Sequence, residues 1–179
     1  MLAYILLGAI GISAVIYLCF LTRDLIRLLI PALAGGGLFV GTPENIVPVM
    51  LKLANISPND IVADLGSGDG RLLIAAAQAG AKKGIGYEIQ HWLVKQSRVH
   101  IEQRHLTDKI EIRQESFWHA DVSSTTLILL YQISFAMKGI EEKLLKELPI
   151  GARVVANGFT FPHWKEEKTV GNVRLYIKR

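Results

Sequence analysis

The chain of 179 residues has a single cysteine, and that scarcity removes several kinds of chemistry at once. Cys19 lies in an uncharged apolar stretch, so the remainder carries no disulfide, no thiolate metal cluster and no thiol nucleophile. A reducing, cytosolic setting for that remainder fits. Strong charge asymmetry is also missing. The net charge is +4 and no basic run exceeds two residues, so nucleic acid is not an expected partner. His91, His119 and His163 are scattered without metal-ligand spacing, and no metal is expected. There is no internal repeat and no low-complexity segment beyond Gly35-Gly36-Gly37.

Charge is absent altogether from residues 2–21, LAYILLGAIGISAVIYLCFL. About twenty apolar residues suffice for a helix to cross a hydrocarbon core, so a transmembrane anchor is predicted over residues 1–22. Tyr4 and Tyr17 near its ends suit the membrane interface. Arg23 and Arg27 follow the span and no basic residue precedes it, which orients the N-terminus outside and everything beyond the anchor in the cytoplasm. A cleaved signal peptide fits less well, because the basic leading region is missing and the apolar stretch is too long. Residues 23–41, interrupted by Pro31 and the three glycines, read as an interfacial segment and a flexible joint. Residues 42–179 form the domain proper, and its modest positive charge suits a site beside an anionic membrane face.

The domain carries its clearest signal at Asp64-Leu65-Gly66-Ser67-Gly68-Asp69-Gly70-Arg71, directly after the apolar run Ile61-Val62-Ala63. Glycines permit a tight strand-to-helix turn and let backbone approach a ligand. Dinucleotide sites use the same turn, but there a pyrophosphate sits on the helix N-terminus. Asp64 and Asp69 would repel it. S-adenosylmethionine has no phosphate and carries a positive sulfonium and a positive amino group, so two carboxylates favour it. Glu88, closing a second apolar run, is spaced to accept hydrogen bonds from the ribose hydroxyls. Asp64 and Asp69 acting only as helix caps would leave Glu88 unexplained.

Around this motif, periodicity predicts a first helix from Thr42-Pro43, or one that starts only at Pro48. Strands follow at residues 61–65, 84–88, around 110–112, 125–131, 154–157 and 173–178, with helices at 71–79, 90–104 and 140–148. Trp92, Leu93, Val99 and Ile101 are available for the core face of the 90–104 helix. Alternating strands and helices imply a doubly wound, mostly parallel α/β sheet with helices on both faces. Its ligand belongs outside the C-terminal strand ends, where the strand order reverses.

The domain resembles the seven-stranded, Rossmann-like class I S-adenosylmethionine-dependent methyltransferases. More narrowly, it is similar to the membrane-associated lysine methyltransferases of the ATP synthase c-subunit and the adenine nucleotide translocase. The likeness runs from about Phe39 to Trp164 and rests on Phe39-Val40-Gly41-Thr42-Pro43, the Asp64–Arg71 loop, Gly86-Tyr87-Glu88, the stretches 142–149 and 151–155, and Phe159-Thr160-Phe161-Pro162-His163-Trp164. The resemblance implies that Asp64, Gly66, Gly68, Gly70 and Glu88 bind the cofactor, with Asp69 beside them. The family usually places an Asp after the third strand to reach the adenine. Here that loop reads Gln114-Glu115-Ser116-Phe117-Trp118, so Glu115 or Ser116 stands in. The segment Tyr131-Gln132-Ile133-Ser134 lacks the proline expected after the fourth strand.

Methyl transfer from a sulfonium is an in-line displacement in which a protein mainly aligns donor and acceptor in a dry pocket. Tyr131, Phe135, Phe159 and Trp164 follow strand ends and are candidates for an acceptor pocket, with core packing as the other use for each. No single histidine is favoured as a base. The expectation is a membrane-anchored protein-lysine N-methyltransferase whose partners are the bilayer and a membrane-protein substrate. Two alternatives stand beside it: methylation of a small lipid-soluble acceptor such as a quinone precursor, and a catalytically silent cofactor-binding module.

Overall fold

The computed structural model describes residues 11–23, 25, 26 and 39–179. It divides into two units, residues 1–38 and Phe39–Arg179. In the first, residues 11–23 are helical, with Ile12, Val15, Ile16, Tyr17, Leu18, Phe20 and Leu21 all exposed. No helix among the described residues is long and apolar enough to cross a membrane. The start of the expected span, with Tyr4, and the expected joint, with Arg27, Pro31 and Gly35–Gly37, lie outside the described residues.

The second unit is a seven-stranded sheet: β1 (Ile61–Leu65), β2 (Lys83–Tyr87), β3 (Ile110–Arg113), β4 (Leu127–Leu130), β5 (Arg153–Asn157), β6 (Lys168–Val170) and β7 (Val173–Ile177). Its order is β3-β2-β1-β4-β5-β7-β6. The first five strands are parallel, while β7 runs antiparallel to β5 and β6 antiparallel to β7. The sheet is therefore mixed, and the last strand of the chain, β7, lies inside it between β5 and the edge strand β6. The short edge strand β6 is not legible in the sequence because its three residues are all exposed and show no apolar alternation. It reaches β7 through Gly171-Asn172, a two-residue turn in which Gly171 has φ +59°.

Alternation along the strands divides two layers. Val62, Leu127, Leu129 and Val155 pack on one face with α1 (Val47–Ala54), α2 (Arg71–Gln78) and α3 (His91–Glu102). Ala63, Leu65, Ile128, Leu130 and Val154 pack on the other with α4 (Met137–Glu147). The parallel strands are buried on both faces, which is why they read as unbroken apolar runs. On the α4 face, the segment between β3 and β4 supplies Phe117, Ala120 and Val122 in place of a helix.

Local chemistry explains the helix limits. Pro48 stands in the first turn of α1, where a missing N–H costs nothing, and residues 44–46 form a turn rather than the helix that Thr42-Pro43 suggests. Gly80 ends α2 at φ +102°. In α3 the buried residues are Leu93, Val94, Ser97 and Ile101, whereas Trp92 and Val99 are 42% and 49% exposed. That corrects the expected core face: Ser97, fully buried with its hydroxyl donating to Val94 O at 2.9 Å, occupies a place an apolar count assigns elsewhere.

Candidate cofactor site and acceptor face

β1 lies between β2 and β4, so the sheet grows away from it in both directions, and the crevice beyond its C-terminal end is the switch point. Asp64 and the glycine loop stand there. Gly66, Gly68 and Gly70 have φ of +90°, +53° and +82°, a region in which a Cβ is strained. At two of these glycines a substituent would also displace a neighbouring side chain. A Cβ on Gly66 would run into Gln132 Nε2, and one on Gly68 into the Phe39 ring. The N–H groups of Gly66 and Ser67 both donate to Tyr87 O, at 2.9 and 3.0 Å, binding the loop to the end of β2.

Glu88 fastens the same loop from its side chain. Oε2 accepts from Gly68 N at 3.0 Å and Oε1 from Gln90 N at 2.7 Å. Each oxygen keeps a further lone pair for a ligand hydroxyl. Burial pushes the Glu88 carboxyl above its ordinary range despite these bonds. Asp69 has a different role from the one its charge suggests. It is ion-paired with Arg71, whose Nη2 reaches Oδ2 at 2.6 Å, while Arg71 Nη1 donates to Thr42 O at 2.8 Å. Burial raises the Asp69 pKa, but the hydrogen bonds and charge of Arg71 outweigh it and hold the carboxyl below its usual value. Asp69 therefore anchors the loop, and through Arg71 the strap of residues 39–42, rather than offering a free charge.

Asp64 is the opposite case. It is buried, and among the described residues no N–H or O–H donates to it. Burial, with the charges of Glu88 and Asp69 added, pushes its pKa up to about 8. A buried carboxyl facing other carboxylates without a donor suits a cationic ligand. The carboxyls of Asp64 and Glu88 give this end of the sheet acceptors suited to a cation and to hydroxyl groups, two features that S-adenosylmethionine offers. One more polar atom is unpaired here, the buried hydroxyl of Ser67.

Glu115 and Ser116, both half-buried, follow β3 at the same end of the sheet, and Glu115 N donates to Glu88 O at 3.2 Å. Tyr131 follows β4 with its ring against Gly158 at the end of β5. Phe135 and Phe159 are 76% and 46% exposed. Trp164 belongs elsewhere. Its indole packs on Phe161 and Tyr176, with ring centroids 5.5 and 5.7 Å away, and Nε1 donates to Ile177 O at 3.3 Å. Ile177 pairs with Arg153 at the N-terminal end of β5, opposite the glycine loop. The buried Glu141 carboxylate of α4 holds this segment by accepting from the N–H groups of His163 and Trp164. Trp164 is thus a packing residue, because the chain runs back down the sheet after β5. Of the histidines, His91 meets Gln114 at the surface (Nδ1···Oε1 3.0 Å), His163 pairs with Glu141, and His119 is exposed.

The structure adds residues that the motif does not assign. The Phe39 ring lies over Gly68 and meets Trp92 edge-on, with centroids 6.0 Å apart. Gln132 spans from the end of β4 to Leu65 O at 2.6 Å. Phe39 belongs to a recognised stretch that by itself suggests no role, and Gln132 to a segment marked only by its missing proline.

Comparison with known proteins points to a methyltransferase. The family model described as the ANTKMT methyltransferase domain matches residues 64–168. A protein-lysine N-methyltransferase of Saccharolobus islandicus is 35% identical over 133 residues, 74% of this chain and 83% of that one. The mouse adenine nucleotide translocase lysine N-methyltransferase is 33% identical over 74% of this chain. The human lysine N-methyltransferase of the ATP synthase c-subunit is 32% identical over the same share. The chain spans 58% and 56% of those two mammalian proteins. Among solved structures, an RNA methyltransferase of Salinibacter ruber in complex with S-adenosyl-L-homocysteine superposes with a TM-score of 0.73 at 35% identity, over 78% of this chain and 92% of that one.

Proposed function

The chain belongs to the ANTKMT methyltransferase family of S-adenosylmethionine-dependent enzymes, and from that premise we propose that it methylates the side-chain amine of lysine in a membrane or membrane-proximal protein. The observation that carries the chemistry is Asp64, a buried carboxyl with no donor among the described residues, set beside Glu88 and a glycine loop. Bound there, the cofactor supplies an electrophilic methyl group on a positive sulfur. Lysine as acceptor is supported by the archaeal and mammalian lysine methyltransferases similar to this chain.

The protein's own tasks follow from chemistry. The acceptor nitrogen must be neutral, because an ammonium has no lone pair. Its lone pair forms the new N–C bond as the C–S bond breaks with its electrons going to sulfur, and the proton of the methylated ammonium passes to solvent. Tyr131, Phe135 and Phe159 follow the ends of β4 and β5 and offer aromatic surface for the acceptor side chain; the amine is held neutral only where the bound acceptor covers this surface and excludes water. Glu88 orients the donor beside the glycine loop, and the Asp69–Arg71 pair keeps the loop in place.

The membrane part of the proposal rests on the uncharged stretch 2–21 and on the apolar side chains exposed on successive positions of residues 11–23. A single-pass anchor with the N-terminus outside would hold the cytoplasmic domain near its substrate and raise the effective concentration. The test compares membranes from a strain with and without the gene. Loss of methyl-lysine from a membrane protein on deletion, detected by mass spectrometry of hydrolysates, supports the proposal; an unchanged methyl-lysine profile overturns it. Carbonate extraction tests the anchor, which predicts retention in the pellet.

A further inference from the structure

The crevice at the switch point has two halves. The glycine loop and Glu88 lie on the β1–β2 side, whereas the segments after β4 and β5 face the other side. Gln132 bridges the two. From the end of β4 its Nε2 donates to Leu65 O at the end of β1, at 2.6 Å, and the same nitrogen occupies the space above Gly66. A primary amide is planar, so committing Nε2 also fixes the direction of Oε1. Among the described residues nothing donates to that oxygen. A half-buried acceptor, held rigidly at the boundary between donor and acceptor halves, is left with a free lone pair.

We propose that Gln132 is the residue that orients the acceptor amine, its Oε1 accepting an N–H of the neutral amine so that the lone pair points toward the methyl donor. The chemical reason for an amide at this position is its neutrality. A carboxylate would stabilise the ammonium and remove the lone pair needed for bond formation, and the crevice already holds Asp64 and Glu88 on its donor side. An amide carbonyl directs the amine without adding a charge. The tether to Leu65 O supplies what an orienting group needs, a rotamer set before the acceptor arrives. This assignment rests on the lysine methyltransferase proposal above.

The test uses the full chain with two substitutions, Gln132→Met, close in shape but without hydrogen bonding, and Gln132→Glu, close in shape but charged. Three quantities are measured: S-adenosyl-L-homocysteine affinity by calorimetry, thermal midpoint, and the initial rate of methyl-lysine formation on membranes from the deletion strain across pH. For Gln132→Met the affinity stays within about threefold of the native value while the rate falls at least tenfold. For Gln132→Glu the acid limb of the pH–rate profile moves to higher pH by about one unit, because the carboxylate holds the amine protonated. A native rate for Gln132→Met overturns the assignment. So does a loss of rate that parallels lost affinity or a lower midpoint in both variants with an unmoved acid limb, which would make Gln132 only a brace for β1. If the native protein forms no methyl-lysine on these membranes, the lysine proposal itself fails, a result separable from an active native enzyme with unaffected variants.

Discussion

The N–H of Gly68 donates to Glu88 Oε2 at 3.0 Å, so the residue that closes β2 also fixes the middle of the loop that follows β1. One carboxylate therefore shapes the cradle and keeps lone pairs for the ligand. Replacing Glu88 by Ala removes an acceptor for Gly68 and Gln90 together with any ribose contact. Hydrogen bonds to charged groups are worth about 1.5–3 kcal/mol, so S-adenosyl-L-homocysteine affinity should fall by roughly ten- to a hundredfold in calorimetry. An affinity within twofold of native would remove Glu88 from the site.

Asp64 makes stability and binding depend on pH in a defined direction. Its folded pKa, about 8, is above the ordinary carboxylate value, so the native state holds a proton that the unfolded chain releases. That contribution is present in full at acid pH and is lost as pH rises toward and through about 8. The thermal midpoint of ligand-free protein should fall from pH 6 to pH 8.5, and Asp64→Asn should flatten that slope. A cationic ligand favours the ionised form, so binding near pH 7 releases a proton. Calorimetry in buffers of different ionisation enthalpy should detect the release in native protein and not in Asp64→Asn.

Gly68→Ala sets a Cβ against the Phe39 ring at φ +53°, whereas Gly171→Ala, at φ +59°, meets nothing. Both carry the left-handed penalty of roughly 1–2 kcal/mol, but only the first displaces a neighbour. Gly68→Ala should abolish measurable cofactor binding and Gly171→Ala should leave it intact. Adding Phe39→Ala to Gly68→Ala should restore part of the lost stability, a coupling that a thermodynamic cycle reads directly.

Trp164 and Phe135 are equivalent candidates in the sequence and differ in the fold. Trp164 packs against Phe161 and Tyr176, so Trp164→Ala should cost stability toward the lower end of about 3–5 kcal/mol in denaturant unfolding. Phe135 is 76% exposed, so Phe135→Ala should change stability by less than about 0.5 kcal/mol. Any loss of acceptor turnover in Phe135→Ala at unchanged stability then reports the acceptor face.

Whatever depends on local chemistry is legible in the sequence. The strands buried on both faces, the glycine turn and the place of Glu88 all follow from apolar runs, from the need for positive φ and from spacing. What stays hidden depends on distant parts of the chain meeting. Asp69 reads as a free charge until Arg71 is seen to neutralise it, and Arg71 also reaches Thr42, twenty-nine positions away. Phe39 over Gly68 and Gln132 over Gly66 are contacts between segments whose register no periodicity reports. Trp164 reads as a pocket residue only while the direction of the chain after β5 is unknown; the β6–β7 hairpin sets that direction, and β6 has no apolar pattern to announce it.

The most direct measurement is transfer of tritiated methyl from S-adenosylmethionine into protein, lipid and RNA fractions of membranes from the deletion strain, comparing the full native chain with Asp64→Asn. The expected result is label in a protein band, recovered as methyl-lysine and lost with the substitution. Label confined to lipid or to RNA, or equal label with both proteins, would contradict a lysine methyltransferase whose donor site is built around Asp64.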